Sequence, residues 1–442
     1  MSRLMTLIAA VGIVIGVPSI AQAGPDVRWI ESWGTAQALG PQPPPPVIPE
    51  SPKGDGSRPP QPPPSSPSPF VPFPDTLSDQ TVRMLVRTSV GGEQFRIEFS
   101  NAAGGEAVRF GEVRAALAGQ DASIVPASDR PITFAGKGEV TLFPGAKVVS
   151  DPIDLALPPF SRVAVSVYLP DPTPVNTVHA LGLNPTYIVS GNATASPNLA
   201  SPQVARSYFW LNGLSVLAAD ERGGTIVALG DSITDGFATT PGAHRAWPDL
   251  LAERLQADPD LRGWGVVNTG ISGNRILKAG AGDAIVARFD EDVLARPGVE
   301  WVILLAGIND INMTIMPGMP DSQDVTAQQI IDGMDQLIER AHLHGVRIAG
   351  GTILGTKGLP FYNDEGRQMW ETVNRWIRTS GRFDAVIDFE EATRDPADPL
   401  RINPAFDPGD HVHPNDEGNR AMADAINLDI FRQDSRNGIL QR

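Results

Sequence analysis

At Gly224 the spacing of apolar residues changes, and this divides the 442-residue chain into two kinds of structure. Downstream, residues 225–229 form a continuous apolar run, followed by a helical pattern of Trp247, Leu250, Leu251 and Leu255. The alternation continues through expected strands at 265–268, 301–306, 346–354 and 385–389. Between them, Ile330, Met334, Leu337 and Ala341 recur at about the 3.6-residue helical period. Further helices are expected around 370–377 and near 417–430. Apolar strands alternating with amphipathic helices predict a parallel sheet with helices on both faces. Ligands of such sheets lie at the carboxyl ends of the strands.

Upstream, residues 81–218 read as β-rich. Runs at 82–88, 94–100 and 161–169 are separated by Gly-Gly, Ala-Gly-Gly and Asp-Pro breaks. Short strands at this spacing predict an all-β, sandwich-like domain. Residues 41–74 hold 16 of the chain's 42 prolines. Proline favours extended polyproline geometry and builds no packed core. The organisation expected is a β-rich domain beginning within 24–40, a proline-rich insert at 41–75, the β-rich domain resuming over 76–220, and an α/β domain over 224–435. At the N-terminus, Arg3 precedes an apolar run at 4–17 and the small-x-small triplet Ala21-Gln22-Ala23. That is the pattern of a secretory signal peptide, cleaved after Ala23. The run is short for a spanning helix, which needs about 20 residues. A secreted or periplasmic protein without stable membrane insertion is therefore expected. The formal net charge of −16 argues against a nucleic-acid partner, which wants a basic face. With no cysteine, thiolate catalysis, disulfides and cysteine metal sites are excluded.

Four short motifs fall at expected strand ends or in the C-terminal loop. Gly230-Asp231-Ser232-Ile233-Thr234-Asp235-Gly236 follows the first strand. A strand-to-helix turn there can hold a serine oxygen exposed with backbone N–H groups aimed at the same space. A plain helix N-cap is the structural alternative. Asn268-Thr269-Gly270-Ile271-Ser272-Gly273-Asn274 follows the second strand. Its glycines allow close backbone approach to a ligand, or an ordinary turn. Gly307-Ile308-Asn309-Asp310 follows the third, where an Asn amide can donate to an oxyanion or cap a turn. Asp407-Pro408-Gly409-Asp410-His411-Val412-His413-Pro414-Asn415 lies near the C-terminus. An acid three residues before a histidine can fold back onto its ring and fix its tautomer. The competing readings are an N-cap, or a metal site of Asp407, Asp410, His411 and His413. No second cluster completes that metal set, so no metal or other cofactor is expected.

Taken together and in this order, the four motifs resemble the SGNH hydrolases, or GDSL esterases/lipases. The first block is Gly230-Asp231-Ser232-Ile233, with Ile in place of the usual Leu. The second contributes Gly273, the third is Gly307 to Asp310, and the last is Asp410 to Pro414. The resemblance covers about 224–431 and implies a flavodoxin-like α/β/α sandwich. It implies Ser232 as nucleophile, His413 as general base and Asp410 as the partner orienting it. It also implies an oxyanion hole from Ser232 N–H, Gly273 N–H and the Asn309 side chain. The β-rich part is similar to a domain attached to one branch of the family, through Trp29, Trp33, Arg87-Thr88-Ser89-Val90-Gly91-Gly92 and Ser100-Asn101-Ala102-Ala103-Gly104. The expected activity is hydrolysis of short acyl esters of carbohydrates or of small extracellular esters. Longer-chain lipase activity, or glycan binding by a degenerate hydrolase, are the alternatives. The α/β-hydrolase fold wants Gly-x-Ser-x-Gly, whereas Ser232 sits in Gly-x-Ser-x-Thr. His411 and Asp407 read as decoys for His413 and Asp410, and His244 as a surface or rim residue. Arg275 is a substrate contact or a structural ion pair, and Asp235 and Asp310 are expected to stabilise turns. The segment 312–325, with Met313, Met316 and Met319, reads as a long loop that either walls an acyl chain or is a disordered excursion.

Overall fold

Strand β1 (Gly224–Gly230) is buried along its whole length, as a central strand with both faces covered must be. The computed structural model describes residues 28–39, 72–218 and 222–432. The expected signal peptide, its expected cleavage site and nearly all of the proline-rich insert lie outside the described residues. β1 pairs in parallel with β2 (Trp264–Gly270) on one side and β3 (Val299–Leu305) on the other. β4 (Arg347–Gly351) and β5 (Ala385–Ile387) extend the sheet in parallel. The order β2-β1-β3-β4-β5 is the flavodoxin-like, doubly wound order. Chain direction across the sheet reverses between β1 and β3, so the crevice outside their carboxyl ends is where this topology places a ligand.

Helices α1 (Trp247–Ala257), α2 (Ile308–Ile315), α3 (Ala327–Leu343), α4 (Asp364–Thr379) and α5 (Asp416–Ala425) complete the layers. α1 packs on α5, while α4 packs on both α2 and α3. One apolar core runs from Ile226 and Val227 of β1 to Trp247 of α1, Leu337 of α3 and Val373 of α4. Thr326 and Gln329 form a reciprocal capping box at the start of α3, which satisfies two N–H groups the helix leaves unpaired. The strands β4 and β5 end at Gly351 and Ile387, short of the expected 354 and 389, and two helices also differ from expectation. Residues 312–315 continue helix α2 instead of opening a loop, because Gly307, at φ 115°, lets the helix start directly at the end of β3. The expected last helix divides into α5 and a short helical turn, Leu428–Phe431. Extended backbone at Ile426 (ψ 115°) breaks the ladder there, and Asn427 caps the turn.

The upstream region is a two-sheet antiparallel β-sandwich. In one sheet, Trp29–Gly34 pairs with Leu211–Leu217, which pairs with Gly92–Ser100. Lys147–Val149 and Ile153–Leu157 both add to that third strand. The other sheet is built on Gln80–Arg87 and Arg162–Leu169. Ile97, Phe99 and Val216 from the first sheet share a single core with Val82, Val165 and Val167 from the second. The strand Gln80–Arg87 is buried on its outer face too, where Leu85 joins Ala122, Ile124 and Leu199 from covering loops.

The seam between sandwich and α/β domain is polar and buried. Arg296 donates to Glu31 Oε1 at 3.0 Å, Asn212 O at 3.0 Å and Thr35 O at 2.8 Å. Burial pushes the Glu31 carboxyl up to about 7, against the pull of Arg296. Stripping one partner from such a pair costs about 3–5 kcal/mol. The Arg87–Gly92 motif lies here. Ser89 Oγ donates to Ser32 O at 2.6 Å and accepts from Val266 N of β2 at 2.9 Å. Arg87 reaches Glu253 of α1 at 3.1 Å.

Candidate active site

β1 ends at Gly230, where a Cβ would run into Leu305 O and the Thr234 side chain. The bare backbone lets the chain turn directly into one helical turn, Ser232–Asp235. Asp231 fills the N-cap position, its Oδ1 accepting from Ile233 N at 3.1 Å. The capping job weighed for Ser232 is thus done by its neighbour. Ser232 is 6% exposed, and its Oγ lies 2.8 Å from His413 Nε2. Burial raises the Asp231 carboxyl to about 7, despite the Ile233 bond and the proximity of His413. Among the described residues its Oδ2 has no hydrogen-bond partner, which suits a neutral acid.

His413 sits on the loop that leads into α5. Asp410, three residues earlier, folds back as its spacing allows. Its Oδ1 accepts from Val412 N and His413 N, each at 2.9 Å, and its Oδ2 meets His413 Nδ1 at 2.8 Å. Burial opposes the Asp410 charge, but the bonds from the His413 ring and these backbone N–H groups outweigh it and hold the carboxyl below its ordinary range. The Phe237 ring packs 4.3 Å from the His413 ring. His411 forms a separate pair, Nδ1 to Asp407 Oδ2, at 2.6 Å. Among the described residues, no three His, Asp or Glu side chains converge in a metal-binding group.

Gly273 follows β2 at φ 80°, in the left-handed region that favours glycine. Asn309 follows β3 in the first turn of α2, and its Nδ2 donates to Asn274 O at 3.0 Å. The second amide proton of Asn309 is left for another acceptor. Neither Ser232 N–H nor Gly273 N–H has an acceptor among the described residues. Asp310 accepts from Ile276 N at 2.8 Å and Leu277 N at 3.2 Å, and burial raises its carboxyl to about 6. It therefore ties α2 to the loop after Gly273.

Three further residues behave differently from their sequence reading or lie outside it. Arg288 is buried and unheralded by any motif. It donates to Gly230 O at 3.0 Å, Thr269 O at 2.7 Å and Asn274 Oδ1 at 3.0 Å, with Asp292 as counter-ion at 2.7 Å. One guanidinium thus joins the ends of β1 and β2 to the loop carrying Gly273. Arg275 donates to Gln323 Oε1 at 2.8 Å and Ala279 O at 2.5 Å; among the described residues it forms no direct salt bridge, and Asp310 acts on it only through its charge. His244 is not on a free surface. It lines a cavity of about 90 Å³ between the two domains, and burial, with Arg87 and Arg162, lowers it to about 4. The segment after α2 is anchored by Lys278 to Ser322 O at 2.8 Å and by Arg275 to Gln323.

Residues 228–421 match the model of the GDSL-like lipase/acylhydrolase family. No curated protein matches the chain. Among solved structures, an α/β hydrolase enzyme from the metagenome of Lake Arreo, Spain, is 23% identical with a TM-score of 0.37, over 47% of this chain and 94% of its own. A putative lipolytic protein of the G-D-S-L family from Desulfitobacterium hafniense is 21% identical with a TM-score of 0.34, over 46% and 96%. An acetylxylan esterase from Geobacillus stearothermophilus is 24% identical with a TM-score of 0.37, over 48% and 95%.

Proposed function

We propose, from the match of residues 228–421 to the GDSL-like lipase/acylhydrolase family of ester hydrolases, that Ser232, His413 and Asp410 act as nucleophile, general base and orienting acid. The observation that carries this reading is the unbroken line from Ser232 Oγ to His413 Nε2 at 2.8 Å and from His413 Nδ1 to Asp410 Oδ2 at 2.8 Å. Ser232 Oγ attacks the ester carbonyl as its proton passes to His413 Nε2. Ser232 N–H, Gly273 N–H and Asn309 Nδ2 hold the oxyanion. His413 returns the proton to the leaving alcohol, and an acyl group remains on Ser232. Water, deprotonated by the same nitrogen, then releases the acid and restores the serine. Asp410 keeps Nδ1 protonated throughout and answers the imidazolium charge.

The substrates proposed are short acyl esters of carbohydrates or small extracellular esters, for an exported enzyme whose mature chain begins at Gly24. The N-terminal pattern of Arg3, the 4–17 run and Ala21-Gln22-Ala23 supports export. One observation favours a longer acyl chain instead. Met313 lies four residues after Asn309 on α2, hence on the same helix face. Hydrolysis of p-nitrophenyl esters of graded chain length, beside acetylated xylan, decides between them. Acetate and acetylated xylan are expected to be preferred, and preference for octanoate or longer contradicts the carbohydrate reading. Ser232→Ala is the control, since a glycan-binding protein without catalysis shows the same behaviour with and without that hydroxyl.

A further inference from the structure

Asp235 closes the helical turn that Ser232 opens. Its Oδ2 accepts from both Ser272 N at 2.9 Å and Ser272 Oγ at 2.8 Å. One carboxylate therefore joins the nucleophile's turn to the residue immediately before Gly273. The two pieces of backbone are already tightly apposed, since a Cβ on Gly270 would collide with the backbone of Asp235. The other carboxylate oxygen, Oδ1, faces His179 Nε2 at 3.1 Å. His179 belongs to the β-sandwich, at the end of the strand Thr177–His179.

His179 is 6% exposed. Its Nδ1 lies 2.9 Å from Ala36 O, and its Nε2 lies 3.1 Å from Leu181 O as well as near Asp235. All three partners are acceptors, so both ring nitrogens must donate, which only the imidazolium does. Tyr208 stacks beside the ring at 6.2 Å, and burial drives its phenol well above the usual range. Ala36, before the paired strand Ala38–Leu39, and Leu181 offer carbonyl oxygens. Across the small cavity that His179 and Asp235 share, Arg87, His244 and Asp249 complete the titratable groups.

We propose that His179 is a positioning residue for ester hydrolysis. Its cation fixes Asp235, Asp235 fixes Ser272, and the adjoining Gly273 N–H is thereby aimed at the carbonyl that Ser232 attacks. The β-sandwich then completes the catalytic site of the α/β domain and is not a detachable module. This rests on Ser232 and Gly273 having the roles proposed above. Burial opposes the cation, but the charge and hydrogen bond of Asp235, with the bonds to Ala36 and Leu181, hold its proton above the ordinary histidine range.

The test is kcat per active site, counted from the extent of organophosphonate labelling, for the full-length wild type, His179→Gln, Asp235→Asn and the double variant. Either single variant decides the matter alone. An aimed oxyanion donor acts on the transition state, so kcat is expected to fall on the order of 10-fold, less than the ~10²–10³-fold of deleting a donor outright. KM should stay within about 2-fold, and the double variant should be no worse than the poorer single one. Wild-type kcat should also decline on the alkaline side as His179 loses its proton, a decline absent from His179→Gln. Wild-type kcat per labelled site in either variant, or multiplicative losses in the double, overturns the proposal. Should neither variant fold, the His179 ring followed by NMR in the wild type serves instead. Loss of its proton must track the alkaline decline, and loss without a change in kcat overturns the proposal. A wild type that is active but unlabelled at Ser232 contradicts the underlying reading of the site, a result distinct from either.

Discussion

Two Asp–His pairs hold the single helical turn Ser232–Asp235, one at each end, and they treat the proton differently. At Ser232, His413 has Nδ1 on Asp410 and Nε2 on a hydroxyl, a group that both donates and accepts. On the proposed reading that ring takes the proton of the Ser232 hydroxyl and gives it back. At Asp235, both nitrogens of His179 face acceptors, so its ring holds its second proton more tightly than a free imidazole does. One pair comes from the loop before α5 and is half-buried, while the other crosses from the β-sandwich and is buried. On the proposed reading, identical residue types separate into a proton carrier and a positioning cation according to what the second nitrogen meets. A third pair makes the contrast sharper. His411 and Asp407 share the His413 loop and an even shorter bond, 2.6 Å. The His411 backbone is turned over, at φ 64°, and its ring packs by Gly358, away from any role at Ser232.

Breaking the first pair has the largest expected effect. Asp410→Asn leaves a ring beside Ser232 but loses the acceptor that fixes its tautomer, so kcat on p-nitrophenyl acetate should fall on the order of 10⁴-fold. The second pair shows next in stability. Its folded pKa is raised, so the stabilisation is full below the unfolded value of about 6.5 and disappears as pH rises through the folded value. The Tm advantage of wild type over His179→Gln should therefore shrink from pH 6 to pH 10, and a constant or growing gap breaks the comparison. The third pair has the smallest effect. His411→Ala should leave kcat/KM within about 3-fold, since a residue that touches no reacting atom removes little transition-state binding. A loss approaching that of Asp410→Asn would exchange the roles of the two histidines.

The first pair is legible in the sequence and the second is not, for a physical reason. Asp410 and His413 are three residues apart on one loop, close enough for local backbone geometry to bring them together. His179 and Asp235 meet through the docking of two domains, and nothing near residue 179 in the chain announces it. The signal available was Asp235 itself, three residues after Ser232 on a turn too short to leave its carboxylate without a partner. Arg288 is hidden likewise, because its acceptors are carbonyl groups at the ends of β1 and β2. The parallel sheet was readable from its unbroken apolar strands. The early end of β4 at Gly351 and the break at Ile426 were not, because the apolar residues continue past both. The Arg87–Gly92 motif was visible without a meaning, which the seam supplies. It docks the sandwich onto the first half of β2 at Val266, four residues before the strand end that leads to Gly273.

The claim that Ser232 is the nucleophile is tested most directly by mapping the adduct left by diisopropyl fluorophosphate. One adduct per chain is expected, on the peptide containing Ser232, with hydrolysis lost in proportion to labelling. Full inactivation with the adduct on another residue, or a Ser232→Ala protein that hydrolyses p-nitrophenyl acetate at the wild-type rate, contradicts it.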